Sequence, residues 1–308
     1  TAESSSLIYS YFKSNGIKHL DYMVATHPDA DHIGGLAGAL NYATVDTAYC
    51  PFTSYDTRTF ASFTKYLAKQ NKMITVPSAG DSFELGSAEV TVVGPISISS
   101  DDTNNSSIVL RIVYGKTSFL LTGDAEQDEE REIIDSGADI TSTVLKVGHH
   151  GSSSSTSIYF LREAAPEYAV ISVGEGNSYG HPTEQTLSRL RDADVKTYRT
   201  DMQGDIICTS DGKNVKFKTE KNADADTLAG SGAGQKSSSS QAAIIGAGSG
   251  TDSTNNSEET YVLNTSTHKL LRPSCTSANE TRSSSPSTST RAPGLRASRM
   301  RATRCWVV

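Results

Sequence analysis

The segment THPDADHIGGL, residues 26–36, holds the chain's densest group of metal-capable side chains. His27, Asp29, Asp31 and His32 fall within six residues, between an apolar stretch and a glycine pair. Extended backbone sends residues i and i+2 to one side, so His27 and Asp29 can address one ion. A turn after them can swing Asp31 and His32 toward a neighbouring ion. Imidazole together with carboxylate suits Zn²⁺, Mn²⁺ or Fe. With no metal, the same residues make a surface loop whose aspartates cap a helix.

Further segments carry chemistry of the same kind. FLLTGD (119–124) delivers Asp124 at the end of an apolar strand, where a carboxylate can bridge two metals. Strand–Gly–Asp is also an ordinary turn signal. VLKVGHHGSSSS (144–155) ends a buried strand at Gly148 and continues with His149, His150, Gly151 and Ser152. Its glycines let backbone approach a ligand closely. Lys146 reads as an alternate-face residue of that strand, and a role in holding an anionic substrate stays open. In GEGNSYGHPTEQTL (174–187), His181 precedes Pro182 and a helix opened by Thr183. NNSSIVLRI (104–112) brings Asn104, Asn105, Ser106 and Ser107 to the mouth of a strand, as site residues or as a plain loop boundary. Five of the seven histidines fall at strand-to-loop ends, all but His19 and His268. Open α/β architectures collect their chemistry at the C-terminal ends of strands.

The elements that must position these residues are legible as periodicities. LDYMVAT (20–26) is a buried strand, followed by a small-residue helix near 33–41. A helix over 57–70 buries Phe60, Phe63, Tyr66 and Leu67 on one face. Short strands are expected at 72–76 and 88–93. Residues 107–124 form a hairpin turning at Gly115-Lys116. A helix over 125–135 is acidic at its N-terminal end, which suits the helix dipole. Strand 143–147, helix 156–164, strand 168–173, helix 183–193 and strands 195–199 and 205–209 complete the pattern. Mixed strands followed by alternating helices and strands imply an α/β sandwich of two sheets with helices outside.

Composition divides the chain. Residues 1–220 carry 18 Lys+Arg against 29 Asp+Glu, a net of −11, and residues 221–308 carry 10 against 6. An acidic folded part excludes a basic nucleic-acid-binding surface as the main theme. No apolar run approaches 18 residues, so no transmembrane segment is expected. The cysteines Cys50, Cys208, Cys275 and Cys305 have no CxxC spacing and do not read as a disulfide scaffold. Residues 1–220 are thus expected to be the working domain. Residues 221–258, rich in Gly, Ser, Ala and Thr, are expected to be a flexible linker. Residues 259–308 read as a short C-terminal segment, a remnant or disordered. YVLNTSTHKLL (261–271) has a strand-like pattern there, and a Ser/Thr/Pro/Arg-rich tail follows Cys275.

Taken in order, LDYMVATHPDADHIGGL, NNSSIVLRIVYGKTSFLLTGDAE, VLKVGHHGSSSSTS and YAVISVGEGNSYGHPTEQTLSRL resemble the metallo-β-lactamase fold, a superfamily of metal-dependent hydrolases. More narrowly, they resemble the metallo-hydrolase domain of ComEC-type competence proteins and their free-standing secreted relatives. The resemblance runs from about Ser6 to Lys218. It implies an αββα four-layer sandwich with metals at its edge. It implies His27, Asp29, Asp31, His32, Asp124 and His149 as ligands of one or two divalent ions. His150, His181, Asn105 and Ser107 would lie close to the substrate, and Ser152 is placed with them. The second motif position, often His in the superfamily, is Asp29 here, and no histidine falls between 33 and 148. Such an oxygen-rich site makes Mn²⁺ an alternative to Zn²⁺. Members also carry strands upstream of the first helix, and a start at Thr1 would leave one sheet with an open edge, as in a truncated fragment. The Arg/Ser/Pro composition after Glu280 resembles an altered reading frame.

The expected activity is metal-assisted hydrolysis, in which cations lower the pKa of water toward 7. Asp31 and Asp124 are its central carboxylates, and His150, His181 and Lys146 would stabilise charge developing on the substrate. The resemblance points to a phosphodiester substrate, DNA among them, handled at an extracellular or exofacial site with any anchor in a missing N-terminus. The alternatives are hydrolysis of another ester, a lactone, a thioester or a choline phosphodiester on the same fold, and a degenerate, non-catalytic surface module.

Overall fold

The computed structural model describes residues 2–229, together with the backbone of strands Tyr261–Asn264, Lys269–Leu271 and Cys305–Val307. Helix α1 (Ala2–Ser14) leads into strand β1 (His19–Val24), the expected buried strand. The helix expected near 33–41 forms as two pieces, α2 (Ala30–Ile33) and α3 (Leu36–Tyr42), interrupted at Gly34-Gly35. β2 (Thr44–Tyr49) then pairs parallel with β1. α4 (Arg58–Ala68) opens where expected, with the Thr57 hydroxyl accepting a hydrogen bond from the Phe60 amide at 3.2 Å. The 72–76 strand shrinks to β3 (Ile74–Thr75), paired parallel with β2.

The second sheet begins with the hairpin β4 (Ser82–Leu85) and β5 (Ala88–Gly94). β6 (Val109–Tyr114) and β7 (Thr117–Leu121) follow, turning at Gly115-Lys116 as the sequence implies. After α5 (Gln127–Asp135) the connections become crossovers: β8 (Val144–Lys146), α6 (Ile158–Ala164), β9 (Tyr168–Ile171), α7 (Glu184–Asp192) and β10 (Lys196–Arg199). β8, β9 and β10 extend the sheet in parallel from β7, giving the order β10-β9-β8-β7-β6-β5-β4. A short α8 (Thr200–Gln203) returns the chain to the first sheet through β11 (Ile206–Ser210) and β12 (Val215–Thr219).

The remaining three strands, β13 (Tyr261–Asn264), β14 (Lys269–Leu271) and β15 (Cys305–Val307), stand between β11 and β1. The open edge expected in this sheet is not found at β1, which pairs parallel with β15.

Three apolar clusters show why the layers stack. One lies between the sheets, with Val24, Val90, Leu110, Phe119, Val170 and Ile206 among its members. A second, including Phe12, Leu20, Leu36, Phe60 and Phe63, packs α1, α3 and α4 on the first sheet. The third, including Ile133, Leu145, Phe160, Leu187 and Leu190, packs α5, α6 and α7 on the second. Each sheet is thus apolar on both faces and each helix on one, the condition for an αββα sandwich. No helix among the described residues is long and apolar enough to cross a membrane.

The first residues of the expected linker lie against this domain. The Thr227 hydroxyl donates to the Thr197 carbonyl at 2.6 Å, and Arg199 donates to the Thr227 carbonyl at 3.2 Å. Residues 230–258, and the tail beyond Glu280 other than the backbone of β15, lie outside the described residues.

Candidate metal centre

Four chain segments converge at one edge of the two sheets. The first leaves β1 as Thr26-His27, with His27 wholly buried, and enters α2 through Asp29. The second enters β6 through the 3-10 turn Asn104–Ser106 and the buried Ser107. The third leaves β7 through Gly123-Asp124. The fourth leaves β8 through the turn Gly148–Gly151.

Two of these turns depend on unusual backbone. Gly123 has φ +53°, and a Cβ there would come within 2.9 Å of the Thr26 Cβ and 3.1 Å of Ser107. His149 and His150 are both left-handed, with φ 45° and 53°, a conformation costly for residues with a Cβ. Two successive left-handed residues point the imidazoles in different directions. The His149 amide donates to the Gly123 carbonyl at 3.2 Å, which ties the turn to the Asp124 loop.

Asp124 is the hub. Its side chain is 5 % exposed. Oδ1 lies 3.1 Å from His32 Nε2, and Oδ2 lies 3.5 Å from His150 Nε2, 3.8 Å from His27 Nε2 and 3.9 Å from His149 Nε2. Asp31 Oδ2 is 3.3 Å from His150 Nε2, and the Nε2 atoms of His32 and His150 are themselves 3.3 Å apart. Asp31, His32, Asp124 and His150 can each offer one ligand atom within 4.8 Å of all the others.

The outer faces of the imidazoles are occupied. His150 Nδ1 donates to the Ser172 carbonyl at 2.8 Å, which turns Nε2 toward the carboxylates. His149 Nδ1 lies 2.8 Å from Glu126 Oε1, which also accepts from the Ser154 hydroxyl at 2.9 Å. The Thr26 hydroxyl sits between His27 Nδ1 and His32 Nδ1, at 3.2 and 3.3 Å. Carboxylate and carbonyl partners behind histidine ligands are the usual means of fixing their tautomer.

Charge accumulates here. Burial, reinforced by His32, lowers the pKa of His27 to about 3, so its ring is neutral. The hydrogen bond from His150 holds Asp31 at about 2. Burial alone would raise Asp124, but His32 and His150 outweigh it and hold the carboxyl well below the usual range. Burial would likewise lower His150, but Asp124 and Asp31 raise it to about 9.

The residues fit a divalent cation on a direct observation. His27 Nε2 and Asp124 Oδ1 are buried and have no hydrogen-bond partner, although His32 Nε2 stands 3.1 Å from Asp124 Oδ1. A buried nitrogen and a buried oxygen left unpaired within one group of histidines and aspartates are what a cation satisfies.

Other residues singled out by sequence take different places. Asp29 Oδ1 accepts from the Thr103 hydroxyl at 3.1 Å and lies outside the four-residue group. Lys146 is 7 % exposed and donates to the Val147 carbonyl at 2.9 Å; burial lowers its pKa while Asp124 raises it. His181 stands edge-on to His149, with ring centroids 5.6 Å apart. Asn105 Oδ1 accepts from the Glu126 and Glu129 amides at 3.0 and 3.1 Å, which caps α5. Ser107 Oγ accepts from the Asp124 amide at 3.1 Å and lies 3.4 Å from His27 Nδ1. Ser152 Oγ is paired with Ser154 Oγ at 2.8 Å. Sequence reasoning passed over Glu126, Thr26 and Ser172. Only Glu126 carried a signal, as an acidic residue two positions after Asp124.

The chain is similar in sequence to known proteins. The chain is 32 % identical over 200 residues to ComE operon protein 3 of Bacillus subtilis (strain 168), covering 65 % of this chain and 26 % of that protein. It is 33 % identical over 190 residues to Competence protein ComA of Neisseria gonorrhoeae, covering 61 % and 25 %. It is 30 % identical over 202 residues to Recombination protein 2 of Haemophilus influenzae, covering 65 % and 23 %. The chain therefore spans about a quarter of the length of the relatives it matches. A family model described as the metallo-beta-lactamase superfamily matches residues 2–175, more than half of the chain. With the αββα layering and an edge cluster of histidines and aspartates as its structural counterpart, the chain belongs to the metallo-β-lactamase superfamily of metal-dependent hydrolases.

Proposed function

We propose that this chain is a metal-dependent phosphodiesterase that acts on DNA at the cell exterior. The observation that carries the reading is the four-residue group Asp31, His32, Asp124 and His150, set beneath His27 and beside His149. The names of the competence-protein relatives support DNA as the substrate and DNA uptake as the setting.

Asp31, His32, Asp124 and His150 would hold a divalent ion, with His27 and His149 as the further donors for a second. Zn²⁺ and Mn²⁺ both suit this mixed nitrogen and oxygen set. A bound cation supplies Lewis-acid polarisation of the phosphoryl oxygen and a lowered pKa for water. The chain's own residues do the rest. Asp124, buried and ionised, fixes the histidines around one point. Ser172 and Glu126 hold the tautomers of His150 and His149. Asp31, whose side chain is 64 % exposed, marks the open side from which substrate enters. His181 stands on that approach beside His149.

The test is metal content and hydrolysis on one preparation. Wild-type protein supplied with Mn²⁺ or Zn²⁺ is expected to retain about one to two equivalents and to cleave DNA. Asp31→Ala and Asp124→Ala are expected to keep the fold by circular dichroism and to lose both. Wild-type cleavage in both variants would overturn the reading. Cleavage of a lactone, thioester or choline phosphodiester, with DNA untouched, would move the substrate class.

A further inference from the structure

The loop 174–181 is built to present one aromatic ring beside the metal centre. Asn177 staples it internally. Its Nδ2 donates to the carbonyls of Gly174 at 3.0 Å and His181 at 2.7 Å, and its Oδ1 accepts from the amides of Tyr179 at 3.2 Å and His181 at 3.1 Å. One amide side chain thus closes both ends of the loop and leaves Tyr179 at its apex, 82 % exposed. The loop is also anchored to the turn carrying His149 and His150. The Thr183 amide donates to the Gly151 carbonyl at 2.9 Å, and a Cβ on Gly151 (φ +86°) would collide with Pro182 at 2.6 Å.

An exposed tyrosine alone means little. Here the rings form a series. Tyr179 stacks on His181 with centroids 5.9 Å apart and planes 25° from parallel, His181 meets His149 edge-on at 5.6 Å, and His149 Nε2 is 3.9 Å from Asp124 Oδ2. The outer face of Tyr179 therefore lies at the end of a series of ring contacts that starts at the hub carboxylate. The domain is acidic, with 29 Asp+Glu against 18 Lys+Arg over residues 1–220, so away from the metal centre a polyanion is better held by a contact that does not depend on charge. Stacking of a base on an aromatic face is such a contact.

We infer that Tyr179 is the stacking platform for an unpaired nucleobase next to the scissile phosphodiester, which makes single-stranded nucleic acid the preferred substrate. Bases locked in a duplex have no free face to offer. This inference rests on the phosphodiesterase reading for its cleavage, and binding reads it separately.

The experiment uses the full chain with Mn²⁺ and two oligomers of equal length, oligothymidylate and an abasic tetrahydrofuran strand. Binding is read by fluorescence anisotropy and cleavage by gel. Tyr179→Ala is expected to weaken oligothymidylate binding about 5- to 150-fold, the range for losing one stacked base. Its kcat on that strand should stay near wild type while KM rises. Tyr179→Phe should bind like wild type, and abasic-strand binding should be unmoved in every variant. Equal binding of oligothymidylate by wild type and Tyr179→Ala, or equal losses on both strands, would overturn the inference. If wild type binds with the expected Tyr179 dependence but cleaves neither strand, the phosphodiesterase reading fails and the platform stands.

Discussion

Glu126 Oε1 lies 2.8 Å from His149 Nδ1, and so decides which nitrogen of that imidazole faces Asp124. The same oxygen accepts from Ser154 and from Asn104 Nδ2, at 2.9 and 3.3 Å, which ties the serine-rich loop and the β6 entry to one point. Removing the carboxylate frees the ring to rotate and lowers its basicity. Glu126→Ala is expected to weaken metal binding about 10- to 100-fold, the usual cost of losing a partner behind a histidine ligand. Competition with a chromogenic chelator measures it. Unchanged affinity would show that His149 contributes nothing to the ion.

The metal-capable residues could be read from sequence because their types are scarce and their spacing is tied to strand ends. Their division of labour could not. His149 and His150 are neighbours, and only the two successive left-handed residues determine that His150 Nε2 reaches Asp31 and Asp124 while His149 turns its Nδ1 to Glu126. Lys146 shows a second limit. Strand alternation assigns it a face, but β8 is central to its sheet and buried throughout, so its ammonium meets a backbone carbonyl. Among the elements, α1 went unread because it rests on Ile8 and Phe12 within a run of serines, residues of weak helix propensity. β2 went unread because Val45 and Ala48, its core residues, do not alternate.

Asn105 separates a structural from a substrate role. Its Oδ1 caps two amides at the start of α5, and its Nδ2 donates to Asp102 Oδ2 at 2.8 Å, so its side chain is already engaged. Asn105→Ala is expected to destabilise the protein by about 0.5–2 kcal/mol, the cost of an N-terminal cap. KM for an oligonucleotide should change less than about 2-fold in protein that remains folded at the assay temperature. Urea denaturation and initial rates read the two effects. A large rise in KM with unchanged stability would assign Asn105 to the substrate.

Glu129 gives the domain a pH dependence separate from the metal centre. It is 1 % exposed, both carboxyl oxygens lack a hydrogen-bond partner, and Gly94 lies against it. The nearby Ser107 amide, which lowers its pKa, donates to the Asn104 carbonyl at 3.1 Å. Burial first, then the charges of Glu130, Glu132 and Asp102, push the carboxyl well above the usual range. The folded protein therefore holds a proton that the unfolded chain releases near 4.5. The stability contributed by that proton is complete below 4.5 and is lost as pH rises through the folded-state value. Glu129→Gln keeps the shape and removes the ionisation. It is expected to match wild type near pH 4 and to exceed it at pH 8 by about 1–3 kcal/mol, the cost of an unsatisfied buried polar group. Denaturation midpoints across that range decide the matter: a wild-type profile in Glu129→Gln would mean that Glu129 is ionised and solvated in the folded state.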